Sequence, residues 1–241
     1  MNLRKYLVLK NYRNYLHDRF GAAYKKSYSQ CGEDILIGRA LSMLGIRQPN
    51  YLEIGTNYPV AGNNTYSFYA KGAHGVCVEP DPDLAQMIRQ TRPRDTCLNV
   101  GIGPSEEAGL SFYMLSKKGL NTFSKEEAEK TVKDGMYGEV KIEKVITVPL
   151  VTIDSVIEKH FPAGVDILSL DAEGYDFNIL QSLDFVKHRP KLICVETARY
   201  DEHRKLQKET EMIDFVLAQD YFLYADTFVN SIFVDKKVWS L

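Results

Sequence analysis

The sequence predicts an α/β fold built on a mostly parallel sheet. Three observations carry that prediction. Short apolar runs alternate with helical patterns along most of the 241 residues, the signature of βαβ units. Three of those runs end in an acid just before a turn. Near the end, strand-like residues 221–225 and 229–234 are separated only by Asp226, Thr227 and Phe228, a gap that admits only an antiparallel hairpin.

The elements follow in order. Residues 33–44 place Ile35, Leu36, Ala40, Leu41, Met43 and Leu44 at helical spacing, with Gly45 past the end. Residues 51–54, 75–78 and 95–98 read as short buried strands. Between the first two, 64–72 is a short helix with Asn64 as cap and Gly72 as stop. Asp81 reads as an N-cap and Pro82 as the first residue of a helix running through Thr91. Residues 110–114 and 145–148 read as strands. Between them lies a polar insertion, about 116–144, with Gly119, Gly135 and Gly138. It reads as part helix and part mobile lid near a site mouth, or as a solvated decoration. Asp154 is expected to cap a helix through Phe161. Strands at 166–170 and 192–195, and helices at 177–185 and 209–218, complete the pattern.

Composition narrows the class. Apolar residues make up 44% and charged residues 26% of the chain, as in ordinary globular domains. The net charge of −2 gives no general footprint for nucleic acid. No run approaches the ~18 apolar residues of a membrane span. Cys31, Cys77, Cys97 and Cys194 form no C-x-x-C pair, so reduced thiols and a cytoplasmic location are expected. Residues 1–26 hold seven Lys or Arg and one acid, Asp18. This segment reads as a helix packed on the domain or on a second subunit of a homo-oligomer, or as a basic arm for a membrane surface or anionic substrate. Residues 27–241 form the main domain.

Ligands of open α/β sheets bind at the carboxyl ends of the strands. The run 166–170 delivers Asp171 and Glu173 to such a tip, with helix capping as the purely structural alternative. The run 51–54 carries Glu53 and leads into Gly55, a tight βα turn without the second and third glycines of a dinucleotide site. A nucleoside without a diphosphate suits it better. The run 75–78 leads into Glu79, where an acid can take both ribose hydroxyls.

These residues resemble the signature blocks of FkbM-family methyltransferases. The blocks are Glu53-Ile-Gly55-Thr56-Asn57, Val78-Glu79-Pro80-Asp81 and Leu168-Ser-Leu-Asp171-Ala-Glu173-Gly174. Gln30-Cys-Gly32-Glu33-Asp34, Asn63-Asn64-Thr65-Tyr66 and Pro190 through Glu196 resemble further blocks in the same order. One departure is Glu53, where many members have Asp. The resemblance implies a Rossmann-like class I methyltransferase fold: a mostly parallel seven-stranded sheet, an antiparallel hairpin at its end and helices on both faces. It also implies methylation of an oxygen by S-adenosylmethionine, often on a carbohydrate or natural product, so the partner is a small-molecule or glycan acceptor.

On that reading Glu53, Gly55, Thr56 and Asn57 cradle the amino-acid part of the donor, with Gln30 and Asn64 contributing. Glu79 takes the ribose, flanked by Pro80 and Asp81. Asn99, Val100 and Gly101 meet the adenine edge, or simply form a turn. Asp171 and Glu173 carry the catalytic step. One of them is the general base, or both join Glu196 in holding a divalent ion. Two rivals remain: an NAD(P)-linked oxidoreductase, and a non-catalytic nucleoside-binding module of the same fold.

Overall fold

The computed structural model describes residues 25–135, 137–200 and 206–239. The basic segment 1–26 lies, apart from Lys25 and Lys26, outside the described residues. The elements in chain order are α1 (Glu33–Met43), β1 (Tyr51–Ile54), α2 (Tyr66–Tyr69), β2 (Val76–Val78), α3 (Pro82–Thr91), β3 (Thr96–Leu98), β4 (Gly101–Ile102), β5 (Glu107–Leu115), α4 (Lys125–Asp134), β6 (Ile142–Val151), α5 (Ile153–His160), β7 (Ile167–Leu170), α6 (Asp176–Ser182), β8 (Leu192–Glu196), β9 (Ala198–Tyr200), β10 (Leu206–Lys208), α7 (Thr210–Ala218), β11 (Tyr221–Asp226) and β12 (Asn230–Asp235).

Seven strands form the central sheet in the order β11-β12-β8-β7-β1-β2-β3. The pairs from β8 to β3 are parallel, and β12 runs antiparallel to both β8 and β11. This is the Rossmann-like class I methyltransferase architecture. Strands of a parallel sheet are buried on both faces, which is why β1, β2 and β7 are mostly apolar and fully buried, with Glu53 and Ser169 as their polar members. Alternate residues serve two cores. Leu52, Ile54, Leu168 and Leu170 pack with Ile157 of α5, Ile179 of α6 and Val216 of α7. Tyr51, Ile167 and Cys194 face the other way, onto Ile37 of α1 and Phe68 of α2. Two apolar faces demand two helical layers, and the crossovers supply them.

The helix ends follow local chemistry, with two departures from the sequence reading. The carboxylate of Asp81 accepts the backbone N–H groups of Asp83 and Leu84, and Pro82 opens α3, as expected. Asn64 does not cap α2. Its neighbour Asn63 does that work, its carboxamide oxygen accepting the Tyr66 N–H at 2.7 Å. Asp154 lies inside the first turn of α5, whose cap is the Thr152 hydroxyl accepting from Ser155 N.

The insertion is more ordered than its composition suggests. The expected strands at 110–114 and 145–148 are stretches of one long antiparallel pair, β5 with β6, which β4 extends to three strands. The distal residues of β6, 142–145, are exposed on both faces, so they show no alternation. Between the strands come a 3-10 turn at Lys118–Leu120 and α4. Leu115, Ala128 and Val140 give this unit a small core of its own. Among the described residues, no helix is long and apolar enough to cross a membrane.

Candidate functional site

The site begins where β1 and β7 end. The amide of Asp171 donates to Ile54 O at 3.0 Å, which brings the two tips together. Gly55 then turns with φ 74°, and a Cβ there would lie 1.7 Å from the carbonyl oxygen of Asp171. Only glycine fits a left-handed turn against another backbone. The next loop residue, Asn57, also has a left-handed backbone, φ 52°, which Asn tolerates better than most residues. Its N–H donates to Glu79 Oε2 at 2.8 Å. Its carboxamide oxygen is buried without a partner.

These loops open onto a cleft that holds about 600 Å³ of empty space, part of it open to solvent. Gly55, Asn57, Glu79, Pro80, Gly101, Asp171 and Glu173 line it, with Leu84, Ile102, Phe112, Phe123 and Tyr175 as apolar wall. Glu79 is buried. Burial lifts its pKa to about 7, against the pull of the Asp81 and Asn57 N–H groups. The carboxamide of Asn99 does not line the cavity; it donates to the carbonyls of Glu79 and Pro80, both at 2.8 Å, and so shapes the loop.

Other expected site residues sit behind the wall. The Glu53 carboxylate accepts from Arg92 and from Asn63, each at 3.0 Å. Thr56 is buried, its hydroxyl turned back on Glu53 O. Asn64 bridges β7 and β8 through Ser169 and Cys194. Val100 packs on the main core. Asp81 is consumed in capping α3 and in contacts from Lys118 and Asn121. Gln30 is exposed.

The sequence placed the insertion near a site mouth but singled out none of its residues for the site. Lys118, Gly119, Asn121, Thr122 and Phe123 all line the cavity. The Thr122 hydroxyl donates to Glu173 O at 3.0 Å. No periodic signal marks a residue whose task is a single hydrogen bond from a loop.

The turn after β7 holds several acids close together. Glu173 takes a left-handed backbone, φ 44°, a conformation that costs on the order of 1–3 kcal/mol unless its surroundings enforce it. Here the enforcement is visible: Asp176 accepts Ala172 N at 2.8 Å and Gly174 N at 3.3 Å. Asp176, not Asp171 or Glu173, is the structural acid of the turn. Asp171 is exposed at the cavity edge, yet the protein crowded around it and the Asp176 charge raise its pKa to about 7. Burial and the Asp171 and Asp176 charges raise Glu196 to about 9. Burial, then the Asp171 charge, holds Glu173 well above the usual carboxylate range.

Glu173 and Thr122 also line a second cavity, of about 940 Å³, with Glu127, Lys130, Thr131, Asp176, Glu196 and Arg199. The two cavities therefore share a wall. Among the described residues, no group of three or more His, Cys, Asp or Glu side chains is arranged to hold a metal ion. The expectation that Asp171, Glu173 and Glu196 jointly ligate a divalent ion is not supported.

The model of the methyltransferase FkbM domain matches residues 53–223. The chain belongs to this family. No curated protein is significantly similar to it. Among solved structures, methyltransferase FkbM from Methylobacillus flagellatus KT is 13% identical, with a TM-score of 0.46 over 78% of this chain. The chain spans 43% of that protein's length. A putative caffeoyl-CoA O-methyltransferase from Staphylococcus aureus is 11% identical, with a TM-score of 0.46 over 97% of this chain and 100% of that one. An O-methyltransferase from Bacillus cereus in complex with SAH is 14% identical, with a TM-score of 0.43 over 92% of this chain and 90% of that one. An FkbM methyltransferase domain leaves no support for the oxidoreductase alternative.

In this FkbM domain the Gly55 contact is to backbone, which cannot move aside. Gly55→Ala is expected to cost about 2–5 kcal/mol, from left-handed strain plus overpacking. Stability and donor binding should therefore fall together. Gly62 also has positive φ, but a Cβ there meets nothing within 4 Å. Gly62→Ala should cost about 1 kcal/mol. Urea unfolding of the two variants checks the contrast; equal losses would contradict it.

Proposed function

We propose that the protein transfers the methyl group of S-adenosylmethionine to a hydroxyl of a carbohydrate or related natural product. The observation that carries this reading is the shared wall. One cavity with a buried acid and one polar cavity meet at Glu173 and Thr122.

The residues of the first cavity fit the donor. Each Glu79 oxygen accepts one backbone N–H and keeps a lone pair for a ribose hydroxyl. The unpartnered oxygen of Asn57 suits the donor's ammonium group. Leu84, Ile102 and Phe112 offer the base an apolar slot beside Gly101. The donor supplies a methyl group already activated on a sulfonium.

What remains for the protein is to align two reactants and accept one proton. Glu173 is the general base, because it reaches both cavities whereas Asp171 lines only the first. The acceptor oxygen bonds to the methyl carbon, the carbon–sulfur bond breaks with its electron pair going to sulfur, and the hydroxyl proton passes to Glu173. Once ionised, a carboxylate with a raised pKa takes that proton more readily than an ordinary one. The second cavity offers only Leu120 and Ala198 as aliphatic side chains among hydroxyls, carboxylates and cations. Such a lining favours a polyhydroxylated acceptor over a flat apolar one.

Two outcomes are expected. Glu173→Gln keeps shape and removes charge, so turnover should fall by about 10²–10⁴ with donor affinity little changed; turnover at the wild-type rate would remove Glu173 from this role. The second concerns pH. Asp171 and Glu196, with values of about 7 and about 9, gain negative charge as pH rises. The donor is cationic at sulfur and its product is neutral there. The ratio of donor to product affinity should therefore climb from about pH 6 to about pH 9, as proton linkage requires. Calorimetry with both ligands measures it, and a flat ratio would separate the acid cluster from the sulfonium.

A further inference from the structure

Arg92, at the C-terminal end of α3, is the largest fully buried side chain among the described residues. A buried guanidinium must be paired, because an isolated one is prohibitively costly. Its Nε donates to Asp95 Oδ2 at 2.7 Å and its Nη2 to Thr65 Oγ1 at 2.7 Å. Its Nη1 donates to Glu53 Oε2 at 3.0 Å and to Asn63 Oδ1 at 3.1 Å. Asp95 in turn accepts from the Tyr51 hydroxyl and from Gly75 N. A single cation thus ties together β1, the segment 63–65, the end of α3 and the turns that lead into β2 and β3.

Stability alone is a poor reason for such a network. Buried ion pairs replaced by well-packed apolar residues often leave a protein as stable or more so. What the network does provide is a fixed geometry, and Asn63 transmits it. The Asn63 amide group donates to Glu53 Oε2 at 3.0 Å, to Thr56 O at 3.3 Å and to Tyr58 O at 3.5 Å. The loop 56–58 therefore hangs from Asn63, which Arg92 and Glu53 hold in place. Asn57, at the centre of that loop, has its left-handed backbone and its side chain at the cavity fixed from behind.

We infer that Asn63 and Arg92 are positioning residues for the methyl donor: they hold the loop 56–58 in its binding shape before any ligand arrives. This rests on the reading of the first cavity as the donor site. Neither side chain lines that cavity, so both act through the loop. Ordering a loop on binding weakens affinity, and a loop ordered in advance avoids that loss. The network touches none of the shared wall, so its effect belongs to donor affinity and not to the chemical step.

The test uses Asn63→Ser and Arg92→Lys, with Val216→Ala as a core variant on the far side of the sheet. Donor KM is expected to rise about 10- to 100-fold in the first two, as misplaced binding groups do. Their kcat at saturating donor should stay within about twofold. Val216→Ala, matched in thermal stability, should keep the wild-type donor KM. Hydrogen exchange on the wild-type protein adds a measurement that needs no variant. The amides of residues 56–58 should already be protected without donor. Folded variants with wild-type donor KM, or a fall confined to kcat, would overturn the inference. So would amides at 56–58 that exchange freely until donor is added. A wild-type protein that binds no donor would instead overturn the donor-site reading, and the exchange result would still decide whether the loop is held.

Discussion

The arrangement of the site depends on one close approach, that of the β1 turn to the β7 turn. Because Gly55 has no side chain, its backbone lies against the carbonyl of Asp171. The loop carrying Asn57 and the turn carrying Glu173 are thereby brought to the edge of one cavity. A β-carbon at position 55 would push these loops apart, and with them a cradle from a base. The remaining parts are built around this contact. Asn57 N–H reaches sideways to Glu79 on the β2 tip, and the insertion closes the other side through Thr122.

Charge is distributed unevenly about that contact. Behind the loop, Arg92 compensates Glu53 and Asp95. In front of it, burial raises the pKa of Asp171, Glu173 and Glu196; the Asp176 charge adds to all three, and the Asp171 charge adds to the other two. The first group is a fastening and the second is a reservoir of protons. Only the second lines the cavities. The raised values are the physical sign that these acids are crowded in a poorly hydrated site, as catalytic groups commonly are.

The sequence made the sheet legible because a parallel strand buried on both faces must be mostly apolar. It made the strand tips legible because an acid followed by glycine is conspicuous after such a run. It could not distinguish an acid that faces a ligand from one that faces a cation behind the loop. Glu53 and Glu79 look alike at their strand ends, yet Glu53 belongs to Arg92 while Glu79 lines the cavity. Arg92 itself sits at the end of an amphipathic helix, where arginine is ordinarily solvated. The insertion was opaque for a different reason. Its charged composition reports the exposed distal part of β6, while its role rests on a few loop residues such as Thr122 and Phe123.

The account stands most directly on where the donor sits. A crystal structure with S-adenosylhomocysteine measures this. The account predicts the ribose hydroxyls within hydrogen-bond distance of Glu79, the base in the slot beside Gly101 and Ile102, and the sulfur facing Glu173 at the wall between the cavities. A nucleoside bound in the second cavity, or held without contact to Glu79, would contradict it.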